Sequence, residues 1–340
     1  MVRRVLDLSV ASVARRLDFK YRLARLLGKS SLTLEQSSLL AEMRTDNLRA
    51  PSPFRASEVW DRVVKLFDRV FRLEGIGDVE EQYFNLRFSG FAPGDPRLHR
   101  YLVYTYFHVL RGRDVHGLLK RIPATEPVKL GMAYEIDGCK VSLDLLFSID
   151  EFYSLLELRP DLMSEPLIVA DIGAGWGRLG YVLKRVNPRL TYVIFDLPEI
   201  LLISSTYLPR LLTGEECRSY RQAKEIPPLS RQVFSRAGVW FLGSHDLPRV
   251  QEGSLDVVVN IGSFQEMTET QVGQYFQIIS EKGRGGHLYL KESWSIATHG
   301  EPLGEISGHG RYPFPSAWEK VFLRNVTFSP DYFETAYRIR

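Results

Sequence analysis

Leu167-Ile168-Val169-Ala170-Asp171-Ile172-Gly173-Ala174-Gly175-Trp176-Gly177 decides how the second half of this chain is read. Four apolar residues lead into an acid and then into three glycines at alternate positions, and a helical pattern follows from Arg178 to Arg185. That order predicts a buried strand, a tight turn and a helix. Glycine has no Cβ, so it lets the backbone turn sharply and lets a ligand lie against the main chain. A dinucleotide-binding turn would also be glycine-rich. A pyrophosphate, however, favours Gly-x-Gly-x-x-Gly at a helix N-terminus. Here the spacing is Gly-x-Gly-x-Gly after an acid, and the large Arg178 stands where the third dinucleotide glycine belongs.

Outward from this stretch, short apolar runs alternate with helical ones: Leu167 to Ile172, Tyr192 to Leu197, Val239 to Gly243, Leu255 to Ile261 and His287 to Lys291. Such alternation implies a parallel sheet with helices on both faces. The tail, Lys320 to Thr327 and Phe333 to Ile339, is expected to add two strands joined by a turn around Ser329-Pro330-Asp331.

Asp171, the three glycines and a second acid, Asp196, at the end of the next strand together resemble the class I S-adenosylmethionine-dependent methyltransferases. The resemblance covers residues 165–340. It implies a Rossmann-like α/β fold with a seven-stranded sheet and S-adenosylmethionine as cofactor. It also implies roles. Gly173, Ala174, Gly175, Trp176 and Gly177 would lie against the methionine and ribose portion, Asp171 would order the loop and face the cofactor's amino group, and Asp196, followed by Leu197, would accept hydrogen bonds from both ribose hydroxyls. A carboxylate with two acceptor oxygens suits a diol. Both acids have plainer readings, Asp171 as a local backbone cap and Asp196 as a strand-end turn. After the third strand, Ser244, His245 and Asp246 fall where this family holds adenine, and they also suit an ordinary turn.

Phe195-Asp196-Leu197-Pro198-Glu199 resembles the hydroxyl-methylating branch, many members of which carry a general-base histidine past the fourth strand. Val258-Val259-Asn260-Ile261-Gly262-Ser263-Phe264-Gln265-Glu266-Met267 has none. The stretch Asn260 to Met267, with Ser142 to Ile149 and His309 to Pro315, is instead similar to the sugar O-methyltransferases of bacterial polysaccharide clusters. That similarity implies a sugar or glycan acceptor, with a phenol, another non-sugar acceptor or a non-catalytic cofactor-binding module as alternatives. A sugar hydroxyl is a weak nucleophile, so transfer needs close positioning and a base that removes its proton. Glu266 and His309 are the candidate bases; Asn260 is a candidate cofactor contact. Glu266 equally suits a helix N-terminus, and His309 a surface loop. No metal-ligand spacing is evident.

Residues 1–130 read as a mainly helical accessory region that shapes the acceptor site, 131–164 as a hairpin and linking helix, and 165–340 as the cofactor domain. The clearest helices are Val59 to Phe71 and Leu98 to Leu110, broken by Ala50-Pro51-Ser52-Pro53 and Ala92-Pro93-Gly94-Asp95-Pro96. Asp137-Gly138 predicts a two-residue type I′ hairpin between 133–136 and 139–142.

The net charge of +3 over 340 residues hides an asymmetry: residues 1–30 carry eight basic and two acidic side chains. The remainder is mildly acidic, which argues against a nucleic-acid footprint. Apolar residues from Val2 to Leu27 recur at helical steps. The basic amphipathic helix they predict either meets anionic lipid, where a lipid-linked glycan would wait, or packs on its own domain with a solvated basic face. No apolar run approaches the roughly 20 residues that span a bilayer, and the start makes a poor secretory signal. Cys139 and Cys217 are too few for a disulfide framework. A cytoplasmic location, peripheral to the membrane if the basic helix binds lipid, is the expectation; oligomeric state is not legible.

Overall fold

The computed structural model describes residues 32–57, 60, 64, 71, 96–125, 133–226, 228–294, 308–327 and 329–340. The basic segment 1–30 lies outside them, and so does most of the helix expected over 59–71. Contacts divide the chain into two compact units, Met1–Ser38 with Arg62–Glu151, and Leu39–Asp61 with Phe152–Arg340.

In the first unit, helix α2 (Pro96–Arg111) starts on a proline, whose fixed φ suits a first helical turn. It buries Val103, Phe107 and Leu110, and its His99 ring meets the Tyr134 hydroxyl at 2.8 Å. Asp114 accepts from the backbone N–H groups of Leu118 and Leu119, starting α3 (Leu118–Arg121). Strands β1 (Ala133–Ile136) and β2 (Cys139–Ser142) form the expected hairpin. Asp137 and Gly138 take φ values of 49° and 74°, the positive pair a type I′ turn requires. Helix α4 (Leu143–Leu158) follows.

The second unit is built on β3 (Ile168–Ile172), β4 (Thr191–Asp196), β5 (Cys217–Arg218), β6 (Val239–Gly243), β7 (Val257–Ile261), β8 (His287–Ser293), β9 (Glu319–Val326) and β10 (Ser329–Arg338). Their order in the sheet is β5-β6-β4-β3-β7-β8-β10-β9. All pairings are parallel except those of β10, which runs antiparallel to both β8 and β9. Apart from β5, this is the expected plan of five parallel strands followed by a closing antiparallel hairpin. The expected seven strands are present, and the two-residue β5 adds an eighth at the edge. β10 also begins earlier than the sequence suggests. Ser329 pairs with Val326, and the register shifts between Ser329 and Phe333, so Pro330 occupies an irregularity that tolerates a missing N–H.

Buried strands read as unbroken apolar runs because helices cover both faces. All of β3 and β4 is buried, including Asp171, one residue before the end of β3, and Asp196, the last residue of β4. Helices α5 (Arg178–Val186), α6 (Pro198–Leu211) and α7 (Glu269–Lys282) follow β3, β4 and β7. The segment 39–61, which contains most of α1 (Leu34–Arg49), packs on this same unit. Phe54 meets Tyr275 edge to face at 5.5 Å, and Ser244 Oγ donates to the Phe54 carbonyl at 2.7 Å.

Candidate active site

The chain runs from β3 outward through β4 to β6, then returns to place β7 on the other side of β3. The carboxyl ends of β3 and β7 therefore flank the point where the winding reverses, the place where open α/β sheets leave a crevice for ligands. Asn260 spans that point. Its Nδ2 donates to the Ile172 carbonyl at 2.6 Å and its Oδ1 accepts from Phe264 N at 2.9 Å, so both ends of the amide brace the protein itself.

Gly173, Gly175 and Gly177 have φ values of 75°, 63° and 88°, the left-handed region where a side chain is strained. Position 173 is doubly restricted, because a Cβ there would stand 2.2 Å from Ser263 Oγ. Gly173 and Gly175 are half-buried in an otherwise buried stretch, which leaves their main chain open to a ligand, whereas Trp176 turns inward against Tyr207.

Asp196 holds this loop. One oxygen accepts Gly175 N–H at 3.0 Å and the other Leu197 N–H at 2.7 Å. The side chain is 7% exposed. Burial first, against the relief of those two N–H groups, and then the nearby Asp171 and Glu266 push its pKa up to about 8. Asp171, also buried, accepts the Tyr192 hydroxyl at 2.5 Å. Tyr192 reaches it only because α5 carries Gly180, where a Cβ would overlap the Tyr192 ring at 2.2 Å.

Glu266 ends a short 3₁₀ turn (Phe264–Glu266), and its Oε2 accepts the Trp60 indole N–H at 2.5 Å. Behind that turn lies Glu292, fully buried at the end of β8. Its oxygens accept Phe264 N and Gln265 N at 3.3 and 3.2 Å, while Gln265 Oε1 accepts Ser293 N at 2.8 Å. Burial, with Glu266 beside it, holds the Glu292 carboxyl well above the usual carboxylate range. The buried Tyr312 hydroxyl lies close to Glu292 without a well-formed hydrogen bond, and burial raises its pKa as well.

The adenine-loop candidates are engaged in the protein's own contacts. Asp246 accepts Gly243 N and pairs with Arg249 at 2.6 Å, Ser244 binds the Phe54 carbonyl, and His245 Nε2 meets the Tyr220 hydroxyl at 3.2 Å. His309 stands apart from the carboxyl cluster electrostatically. It stacks on Phe314, its Nε2 meets the Tyr337 hydroxyl at 2.9 Å, and the charged group that acts on it, after burial, is Lys320, which with burial lowers its pKa. The structure thus brings Asp171, Asp196 and Glu266 together with Glu292, which sequence reasoning missed.

Among the described residues, no group of three or more His, Cys, Asp or Glu side chains could hold a metal ion, and no helix is long and apolar enough to cross a membrane.

No protein-family model matches the chain, and no curated protein matches it. Solved structures are similar to it in part. A SAM dependent methyltransferase from Aquifex aeolicus is 12% identical, with 54% of this chain and 88% of that chain covered and a TM-score of 0.36. The N,N-8-amino-8-demethyl-D-riboflavin dimethyltransferase from Streptomyces davawensis is 14% identical over 57% and 54%, at 0.39. An O-methyltransferase family 2 protein from Planctomyces limnophilus, in complex with apigenin, is 15% identical over 58% and 64%, at 0.33. Likenesses this distant say nothing of activity, and the functional reading rests on this chain's own residues.

Proposed function

We propose that this chain is an S-adenosylmethionine-dependent O-methyltransferase acting on a hydroxyl of a sugar or glycoconjugate. The observation that carries the reading is the glycine loop at the winding reversal, tied by Gly175 to a buried acid, Asp196, on the neighbouring strand. The donor set fits this cofactor. Each Asp196 oxygen accepts one backbone N–H and keeps a second acceptor position, which matches a ribose diol. The cradle at Gly173 and Gly175 admits a ligand that a Cβ would exclude. Asp171, Asp196 and Glu266 lie together at the crevice with Glu292 one layer behind them, and so carboxyl-rich a site suits a sulfonium cation and opposes a pyrophosphate.

When bound, S-adenosylmethionine supplies an electrophilic methyl group. Glu266 removes the acceptor hydroxyl's proton as the new bond forms, and the Trp60 indole N–H fixes the orientation of its carboxylate. An aromatic ring beside a carboxylate also suits a sugar, which offers an apolar C–H face and hydroxyl donors. Glu266→Gln is expected to abolish turnover and leave affinity for the uncharged product, S-adenosylhomocysteine, unchanged. The experiment is incubation with isotopically labelled donor and a panel of nucleotide-linked, lipid-linked and phenolic acceptors, read by mass spectrometry. Label on a sugar hydroxyl supports the reading; label on phenols alone overturns the acceptor class.

A further inference from the structure

Four buried carboxylates in this protein have a cation as partner. Glu199 pairs with Arg44, Asp150 with Arg113, Asp246 with Arg249 and Glu334 with Arg324, at 2.5 to 2.7 Å. Asp196 and Glu292 are as deeply buried, yet among the described residues they accept only from backbone N–H groups. Burying a carboxylate without a cation is costly, so such a group stays protonated until a positive charge arrives.

The groups facing Glu292 are the N–H groups of the 263–265 turn, the Glu266 carboxyl and the Tyr312 hydroxyl; none is a cation. The turn it holds abuts the cofactor loop where Ser263 meets Gly173. Glu292 therefore sits one layer behind the crevice, able to respond to charge placed in it. We propose that Glu292 gives up a proton to solvent when the cationic donor enters and takes it back when the neutral thioether product remains, so that the site holds donor in preference to product. This rests on S-adenosylmethionine being the donor. Asp196 behaves differently, because donor and product bring it the same ribose diol; its proton is released by both. Glu292 is thus a positioning residue for charge. As pH rises towards the range where free Glu292 ionises, donor binding strengthens relative to product binding, by at most about tenfold per pH unit.

The test is calorimetric titration of the full chain with S-adenosylmethionine and with S-adenosylhomocysteine at pH 7, each in two buffers of unlike ionisation enthalpy. The difference in heat counts the protons released. The expected result is roughly one more proton for the donor than for the product, with Glu292→Gln erasing the difference and leaving the product's own count unchanged. Equal counts in the wild type, which needs no variant to fold, overturn the proposal. So does a difference that survives in Glu292→Gln. Failure of both ligands to bind removes the methyl-donor reading itself, an outcome distinct from binding with equal proton counts.

Discussion

Glu334 and Glu292 lie on adjacent strands, β10 and β8, and both are buried carboxyls, yet their surroundings differ in kind. Glu334 accepts from Arg324 Nε at 2.5 Å and from the Tyr289 hydroxyl at 2.7 Å. Glu292 receives two backbone N–H groups and faces another carboxyl. The first arrangement settles a charge during folding. The second leaves a charge to be settled by a ligand, and Asp196 shares it. Breaking a compensated pair should therefore affect stability, and changing an uncompensated carboxyl should affect binding.

The largest expected effect is at Asp196. Asp196→Asn should weaken S-adenosylhomocysteine binding about 100-fold, the loss of charge-assisted acceptance from two hydroxyls. In the ligand-free protein the same change carries a constant cost, because the amide NH2 faces one of the two backbone N–H groups that Asp196 accepts, and a pH-dependent gain. With a pKa raised to about 8, well above that of the unfolded chain, the folded state favours the protonated acid. The stability this contributes is complete below about pH 4 and is lost as pH climbs through about 8. The margin of Asp196→Asn over wild type, measured by thermal unfolding, should grow from pH 5 to 8 and then level; a flat margin would break the contrast. Next comes Glu334→Gln, which leaves Arg324 with Glu157 as its remaining carboxylate partner. It should lower stability by about 1–3 kcal/mol with cofactor affinity unchanged, as chemical denaturation and calorimetry would report. Smallest is Glu292→Gln in the free protein at neutral pH, where a neutral amide replaces a protonated carboxyl. Stability should move by less than about 1 kcal/mol. A loss as large as that of Glu334→Gln would place Glu292 among the structural carboxylates.

The sheet was legible because buried parallel strands are apolar throughout and punctuated by glycine and charge, so Leu167 to Ile172 and its successors stood out. The alternating glycines and the acids near the strand ends likewise marked the crevice at the winding reversal. What escaped was whatever depends on contacts between distant stretches. Gly180 inside a helix was a readable sign of close packing, but its partner, Tyr192, looks like any strand aromatic. Glu292 follows Lys291 at a strand end, and nothing local says that it turns inward beneath the 263–265 turn. Asn260, a candidate cofactor contact, also braces β3 through bonds that no spacing reveals. Two-residue β5 carries too little pattern to be seen.

The most direct test is calorimetry of the wild-type chain and Asp196→Asn with S-adenosylhomocysteine and NADH. The wild type is expected to bind S-adenosylhomocysteine and not NADH, and the variant to lose most of that affinity. Binding of NADH without S-adenosylhomocysteine, or equal S-adenosylhomocysteine affinity in both proteins, would contradict it.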